Sequence, residues 1–357
     1  MPKTFRLIIA AASLSLGGCA ALAQTKDIPS GELNEPMLYE FLLGEIALQR
    51  GDHGLAAQTF LDLARRTRDP RVARRAVEVA NQARMPALAL EAARTWQELD
   101  PSSPQTLQVL SALLIANRRV EEALPYLEKL LAAEGVNLEN GFMQLNRMLA
   151  ASPDKAANLR VVRRLVDKHP LLPQAHFALA QAASAAGDEA AAVAAVRRAA
   201  ALRPDWELAA LLEAQIVQRR SPSAAAKVLG DFVERNPNSR EARLNYARAL
   251  VLDKRLPEAR TQFEAVLAAS PGNAEVIYAV GLLAFQLKDY DVAEENMKRL
   301  LSLGYRDADG ARYLLGQIAE ERKLWPQAVQ WYERIGEGEH FIAARMRGAS
   351  AVAKQGR

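Results

Sequence analysis

The sequence has a single cysteine, Cys19, in 357 residues. A lone thiol cannot form an internal disulfide, and one cysteine does not make a zinc site. Aromatic residues account for only 6% of the chain, and no run beyond the N-terminus is apolar enough to cross a bilayer. The four histidines have no histidine or carboxylate at metal-ligand spacing on one helix face. These absences exclude a disulfide scaffold and argue against a metal centre.

Motifs of catalysis are missing as well. No glycine-rich phosphate loop follows a strand, and no Gly-x-Ser-x-Gly nucleophile motif occurs. The carboxylates are scattered over polar helix faces, where solvation explains them. We therefore expect a non-catalytic protein that uses no cofactor and no metal.

What the sequence does have is a repeat of 34 residues. Arg240–Asn273 and Ala274–Asp307 align on each other, and each contains two helical patterns joined by a short polar turn. Small and large residues recur at matching places: Ala247 with Gly281, Ala259 with Ala293, Phe263 with Met297, and Val266 with Leu300. Small residues let two antiparallel helices approach closely, and the following large residue fills the space beside the crossing.

This pattern resembles the tetratricopeptide repeat (TPR), which has small residues at positions 8 and 20, a large apolar residue at 24 and proline near 32. The resemblance implies an all-α, superhelical solenoid of about nine helix pairs plus a C-terminal helix. Pro170, Pro204, Pro237 and Pro271 recur at the end of successive pairs, where proline stops a helix. The fourth pair, near Val136–Leu172, fits the pattern badly and is expected to be irregular or to distort the superhelix.

The N-terminus predicts a targeting segment rather than part of the fold. Lys3 and Arg6 precede the short apolar run Leu7–Leu16, and Leu16-Gly17-Gly18-Cys19 resembles a bacterial lipobox. The alternative is a secretory signal with a coincidental cysteine. Acylation of Cys19 would anchor the protein in a membrane. Ala20 is not the Asp that retains enterobacterial lipoproteins in the inner membrane, so we expect the outer membrane, with the body facing the periplasm.

The predicted organisation is therefore a signal peptide at 1–18, a lipidated flexible tether at 19–36, a solenoid at 37–340 and a terminal helix at 341–357. That helix either caps the array or begins a further repeat. The chain has 46 basic and 42 acidic residues, and losing Lys3 and Arg6 reduces the basic residues to 44. A net charge this small gives no reason to expect nucleic acid as a partner.

Two surfaces are candidates for binding a protein partner. In TPR arrays, positions 5, 9 and 12 of the first helices line a concave groove. In pairs seven to nine these positions place eight residues there: Leu244, Arg248, Val251, Tyr278, Leu282, Phe285, Tyr313 and Gln317. We expect Leu244 and the aromatic residues to form one ladder along the groove; packing between neighbouring pairs is the alternative. The lysine and asparagine pattern that clamps a C-terminal carboxylate in some TPR proteins is absent from these positions.

The second candidate is an arginine-rich junction between pairs one and two. It comprises Arg65, Arg66, Arg68, Arg71, Arg74 and Arg75. It predicts either a docking patch for an acidic partner or a solvated helix end whose cations favour the helix dipole.

The first two pairs carry a second resemblance. Leu38–Ala64, followed by Thr67-Arg68-Asp69-Pro70 and a Val-Ala-x-Arg-Ala helix, is similar to outer-membrane TPR lipoproteins that act as adaptors of periplasmic carboxy-terminal processing proteases. Such adaptors hold a protease together with its substrates, often peptidoglycan hydrolases. The alternatives are a pilotin-like assembly factor for a pilus or secretion component and, from another class, an envelope enzyme.

Overall fold

The computed structural model describes residues 35–133, 137–150 and 152–355. These ranges contain nineteen α-helices and no β-strand. The expected all-α TPR fold of nine helix pairs plus a terminal helix is therefore confirmed, with the first helix beginning at Glu35 rather than Met37. The predicted signal peptide, Cys19 and most of the tether lie outside the described residues.

The first compact unit of the chain ends at Pro101 and contains two helix pairs. Its helices are α1 (Glu35–Gln49), α2 (His53–Thr67), α3 (Pro70–Gln82) and α4 (Pro86–Leu99). Each helix packs on the next, and α2 also packs on α4. Phe60 is fully buried between Gly44 of α1 and the following pair, where the Arg75 guanidinium lies 5.8 Å from its ring centroid.

The second unit, Ser102–Arg357, contains the other fifteen helices. They are α5 (Pro104–Ala116), α6 (Val120–Ala132), α7 (Leu138–Leu149), α8 (Lys155–Asp167), α9 (Pro173–Ala185), α10 (Glu189–Leu202), α11 (Glu207–Gln218), α12 (Pro222–Arg235), α13 (Arg240–Leu252), α14 (Leu256–Ala269), α15 (Ala274–Gln286), α16 (Tyr290–Ser302), α17 (Ala308–Glu321), α18 (Trp325–Glu333) and α19 (Phe341–Lys354). From α8 onward each helix packs on its successor, so consecutive pairs stack in the manner of a solenoid.

The turn inside most pairs is a Schellman motif. At the end of α13, Lys254 N–H donates to Val251 O and Arg255 N–H donates to Leu250 O. This geometry requires a left-handed residue after the helix. Seven of the nine pairs have such a residue in their turn: Gly51, Arg84, Arg118, Gly187, Lys254, Lys288 and Lys323.

The fourth pair departs from this pattern, as the sequence predicted. Its first helix α7 packs on α9, while its second helix α8 packs on α6 and α9. Pro153 disfavours helix in the residue before it, and α7 ends at Leu149. In place of close helix packing, the buried Asn158 side chain donates to the Leu149 carbonyl at 3.0 Å. The pair is therefore joined at its turn rather than along its length.

The small residues at the helix crossings lie where the repeat predicts. Ala247, Ala259 and Ala293 are completely buried. A Cβ on Gly281 would lie 2.3 Å from Met297 Cε and 3.2 Å from Asn296 Cβ, so α15 and α16 approach each other closely at this glycine. None of the helices in the described ranges has the length and apolarity of a bilayer-spanning segment.

Candidate functional site

A cavity of about 720 Å³ opens beside the first helices of pairs six, seven and eight. Its floor is apolar and consists of buried residues: Ala214, Leu229, Phe263 and Leu283. Leu229 and Phe263 come from the second helices α12 and α14. They reach this floor because Ala214 and Ala247, the small crossing residues of α11 and α13, leave room beside them. The repeat that builds the core therefore also builds the base of the cavity.

The rim of the cavity is polar and rich in amides. Four carboxamide side chains line it: Gln215, Gln218, Asn245 and Gln286. Asn245 Nδ2 donates to the carbonyl and to Oε1 of Glu241, both at 2.9 Å. In the part of the chain that the structure describes, the three glutamine amides have no hydrogen-bond partner. Each amide offers two donors and one acceptor oxygen, which is what the backbone of a bound peptide needs.

Charge in the cavity is limited to one residue of each sign. Glu241 and Arg248 lie on α13, and both are exposed. Two apolar residues of the same helix, Val251 and Leu252, are exposed by 36% and 52%. Exposed apolar groups beside an apolar floor are typical of a protein-binding surface. The cavity can therefore take an apolar side chain and bind the backbone next to it.

Repeat geometry explains which residues meet here. Gln215, Arg248 and Leu282 occupy equivalent places in α11, α13 and α15, and all three line the cavity. Gln218 and Val251 are likewise equivalent, as are Asn245 and Ala279. The stacking of pairs turns one repeat position into a row of side chains.

Three of the eight residues predicted for the groove line the cavity, and the other five lie outside it. Arg248, Val251 and Leu282 line the cavity. Leu244 is half-buried against the core of pairs six to eight, and Gln317 of α17 is half-buried outside the cavity. The three remaining members are aromatic.

The three aromatic residues of the expected ladder are half-buried, and each ring also packs on another ring. Tyr278 stacks on Tyr305, with ring centroids 6.2 Å apart, and Phe285 lies 5.9 Å from Tyr290. Burial raises the pKa of Tyr278 above its ordinary value. The third ring, Tyr313, lies 5.8 Å from the buried Tyr332 and stacks on His340 at 5.0 Å. Tyr278 and Phe285 also pack against the core formed by pairs eight and nine, whereas the contact of Tyr313 with Tyr332 lies within pair nine.

Several lining residues were not predicted. They are Leu211, Gln215, Gln218, Leu229, Glu241, Asn245, Leu252, Phe263, Ala279 and Gln286, with Ala214 and Leu283 in the floor. Four of them occupy repeat positions 6 and 13 of pairs seven and eight, which lie next to positions 9 and 12 on the helix: Asn245, Leu252, Ala279 and Gln286. Applying positions 5, 9 and 12 to the sixth pair would have found Leu211, Gln215 and Gln218.

The arginine-rich junction lies in the first unit and is mostly neutralised by carboxylates. Five of its six arginines form ion pairs: Arg65 with Glu91, Arg66 with Glu40, Arg71 with Asp69, Arg74 with Glu78 and Arg75 with Glu45. The sixth, Arg68, is the left-handed C-cap of α2, and its N–H donates to Ala64 O. Hydrogen bonds from the Arg71 guanidinium lower the pKa of Asp69. Paired cations attract an acidic partner less than free ones, so this geometry favours a structural role.

No cluster of three metal-ligating side chains occurs in the described ranges. Two of the histidines there contact neighbouring groups. His169 lies edge-on to Phe142 at 5.3 Å, and His176 Nε2 lies 2.9 Å from the Pro170 carbonyl oxygen.

Comparison with known proteins identifies the repeats. The family profile described as Tetratricopeptide repeat matches residues 216–274 and 278–339. These segments are tetratricopeptide repeats. The matched range includes most of the cavity, from Gln218 to Gln286. TPRs are protein-interaction modules, so these segments imply a protein-interaction scaffold.

One relative and two solved structures can be set beside the chain. A TPR repeat-containing protein of Pseudomonas aeruginosa is 27% identical over 368 residues, which is 98% of this chain and 62% of the relative. The chain thus spans less than two thirds of that protein's length. MamA of Desulfovibrio magneticus is 16% identical with a TM-score of 0.39, covering 48% of this chain and 98% of MamA. The TPR domain of P58(IPK) is 14% identical with a TM-score of 0.35, covering 90% of this chain and 99% of that domain.

Proposed function

We propose that this protein is a lipid-anchored binding scaffold of the bacterial envelope that holds a segment of a partner protein in the cavity of α11, α13 and α15. The observation that carries this proposal is the combination of an apolar floor with an amide rim. The floor would take one or two apolar side chains of the partner. The rim amides of Gln215, Gln218 and Gln286 would bond its backbone.

The cavity favours a peptide segment over a small charged metabolite. It contains one exposed cation and one exposed anion, Arg248 and Glu241, which lie two helical turns apart on α13. A phosphate or carboxylate ligand calls for several convergent donors or cations. An apolar side chain with a polar backbone on either side matches the surface that is present.

The anchor is the second part of the proposal. The Leu16-Gly17-Gly18-Cys19 sequence supports acylation of Cys19, and Ala20 supports sorting to the outer membrane. Cys19→Ala should abolish acylation and release or mislocalise the protein, because no acyl chains would then hold it in the outer membrane. Density-gradient fractionation of cells measures this. A variant that still bands with the outer membrane would contradict the anchor.

For the partner, we propose a periplasmic carboxy-terminal processing protease, with cell-wall hydrolases as its substrates. The resemblance of the first two helix pairs to adaptor lipoproteins supports this assignment. The alignment of 98% of this chain with one TPR protein is compatible with a scaffold of this length. A pilotin-like assembly factor is the alternative, and it would bind a secretin or pilus component instead.

Affinity capture from solubilised envelopes tests the cavity and the partner together. Wild-type protein is compared with Arg248→Glu/Val251→Asp, in which both changed residues are exposed. If the cavity binds the partner, the captured protease and hydrolases should fall at least ~10-fold, the loss of about 1.4 kcal/mol of binding free energy.

The matched control is Arg240→Glu/Ala265→Asp, which makes the same charge changes at exposed sites outside the cavity. It should capture as much as wild type, and both variants should keep the wild-type circular dichroism. Equal loss in both variants would assign the effect to charge alone. Capture of a secretin in place of a protease would favour the assembly factor.

A further inference from the structure

The last described helix, α19, has two apolar faces, and the described residues cover one of them. Ala344, Gly348 and Ala351 are buried against α18. A second row, Ile342, Met346, Ala349 and Ala353, is exposed. Ile342 and Met346 are exposed by 71% and 70%, among the highest values for large apolar residues in the described ranges. A helix that is apolar on two sides is expected to have a neighbour on both.

The spacing of the exposed row is that of a helix-packing seam. Residues 342, 346, 349 and 353 follow one another at intervals of four, three and four, which keeps them on one side of the helix. The row is also graded in size. Its N-terminal half has the large Ile342 and Met346, and its C-terminal half has two alanines. Small residues permit a close approach of another helix, and large ones fill the space beside them.

We propose that this face is an isologous contact, in which α19 packs antiparallel on α19 of a second copy of this chain. With a two-fold axis opposite the middle of the helix, Ile342 of one copy lies over Ala353 of the other, and Met346 lies over Ala349. Every large residue of the row then meets a small one. A parallel arrangement would place large on large and alanine on alanine, and would leave gaps at the alanines.

Charge supports the same arrangement. Glu337 and Glu339 precede the N-terminus of α19, and Lys354 lies in its last turn. Antiparallel packing brings the carboxylates of each copy close to Lys354 and the helix C-terminus of the other. Arg345 lies on a flank of the row, where its guanidinium packs over the Phe341 ring of the same copy at 4.9 Å. A two-fold contact here therefore has attraction between opposite charges at both ends of the helix.

These charges decide between a second copy and an unrelated acidic helix. An acidic helix would meet cations at Arg345 and Lys354 but would also meet the exposed Glu337 and Glu339 at the other end. The two-fold arrangement uses both ends. One 14-residue helix face is a small interface, so the dimer should be weak and depend on concentration.

The first experiment is light scattering coupled to size exclusion, on the full chain carrying Cys19→Ala in detergent. The protein-only mass should rise from near 39.1 kDa toward twice that value as the protein concentration rises. Met346→Glu should abolish the rise, because it introduces a charge into the middle of the contact. Gln330→Glu, an exposed change on α18, should not. A monomer mass at all concentrations would overturn the proposal and leave the face to a different partner.

A mixing experiment tests the register. Because Cys19 is the only native cysteine, Cys19→Ala leaves an introduced cysteine as the only thiol. Chains with Ile342→Cys and chains with Ala353→Cys should form a disulfide when mixed, since the antiparallel contact brings these positions together. Each variant alone should not, because its two copies of the cysteine lie about 11 residues apart along the helix axis, roughly 16 Å. Disulfides in the single variants but not in the mixture would refute the antiparallel contact. The proposed partner-binding cavity is unaffected by either outcome, since α19 does not line it.

Discussion

Tyr332 is held between two glycines, and substituting each of them with alanine should have opposite effects. The side chain is 1% exposed. On one side, a Cβ at Gly316 would lie 2.3 Å from its Cε1 and 2.6 Å from its Cζ. On the other side, a Cβ at Gly348 would lie 3.6 Å from its Cβ, an ordinary van der Waals contact. Both glycines are inside helices, α17 and α19.

Gly316→Ala should destabilise the end of the second unit. Overpacking of this kind costs about 1–3 kcal/mol, and contact with a buried ring places the cost near the top of that range. The ring cannot move away easily, because Tyr313 lies 5.8 Å from it and α19 covers it. Alanine recovers about 1 kcal/mol of helix propensity. The net loss should be about 2 kcal/mol, or roughly 4–8 °C in melting temperature for a unit of this size.

The matched substitution is Gly348→Ala. It gains the same helix propensity without a clash, so the melting temperature should stay constant or rise by a few degrees. Thermal unfolding followed by circular dichroism measures both variants. If Gly316→Ala melts like wild type, or if Gly348→Ala loses as much as Gly316→Ala, the packing of Tyr332 described above is wrong.

Three other predictions concern turns, packing and pH. Lys288 has a left-handed φ of 63°, so Lys288→Gly should raise the melting temperature. Gly187 has a φ of 80°, so Gly187→Ala should lower the melting temperature. Equal shifts in the two variants would refute the role of backbone conformation in these turns. The double variant Tyr278→Ser/Phe285→Ser should lower the unfolding free energy by at least ~3 kcal/mol in urea titration, because both rings are packed on neighbouring helices. If the variant is as stable as wild type, the two rings are not packing residues and a binding role is favoured. Asp69, whose pKa is lowered mainly by its hydrogen bond to Arg71, should stabilise the fold fully above its unfolded pKa near 4 and lose this contribution as the pH falls through its lower folded value. Asp69→Asn should therefore reduce the acid dependence of urea unfolding below pH ~4, and an unchanged profile would contradict it.

The helices were predictable because the sequence marks their ends. Pro70, Pro104 and Pro173 begin helices at the first helical position, and Pro204 and Pro271 follow the ends of others. The C-terminal helix expected after the ninth pair is present as α19. These signals act through the local backbone, so they do not depend on which helices meet in space.

The surface was less predictable because the same repeat position has different neighbours in different pairs. Position 5 is Leu211 in α11, where it lines the cavity, and Tyr278 in α15, where it stacks on Tyr305. Tyr305, on which Tyr278 stacks, lies 27 positions further along the chain. The neighbour of a repeat position is therefore set by a residue outside that helix. Periodicity gives the helix face, but only the packed structure gives its neighbour.

The distinction between floor and rim follows from what each residue does for the fold. Phe263 and Leu283 are buried, and the repeat requires large apolar residues there to fill the helix crossings. Gln215, Gln218 and Gln286 are exposed and do not fill a helix crossing. The fold does not require an amide at these positions, because any polar side chain would keep these helix faces solvated. Amides that are not needed for folding, yet lie on both α11 and α15 around one apolar depression, are the strongest reason to place partner recognition at this rim.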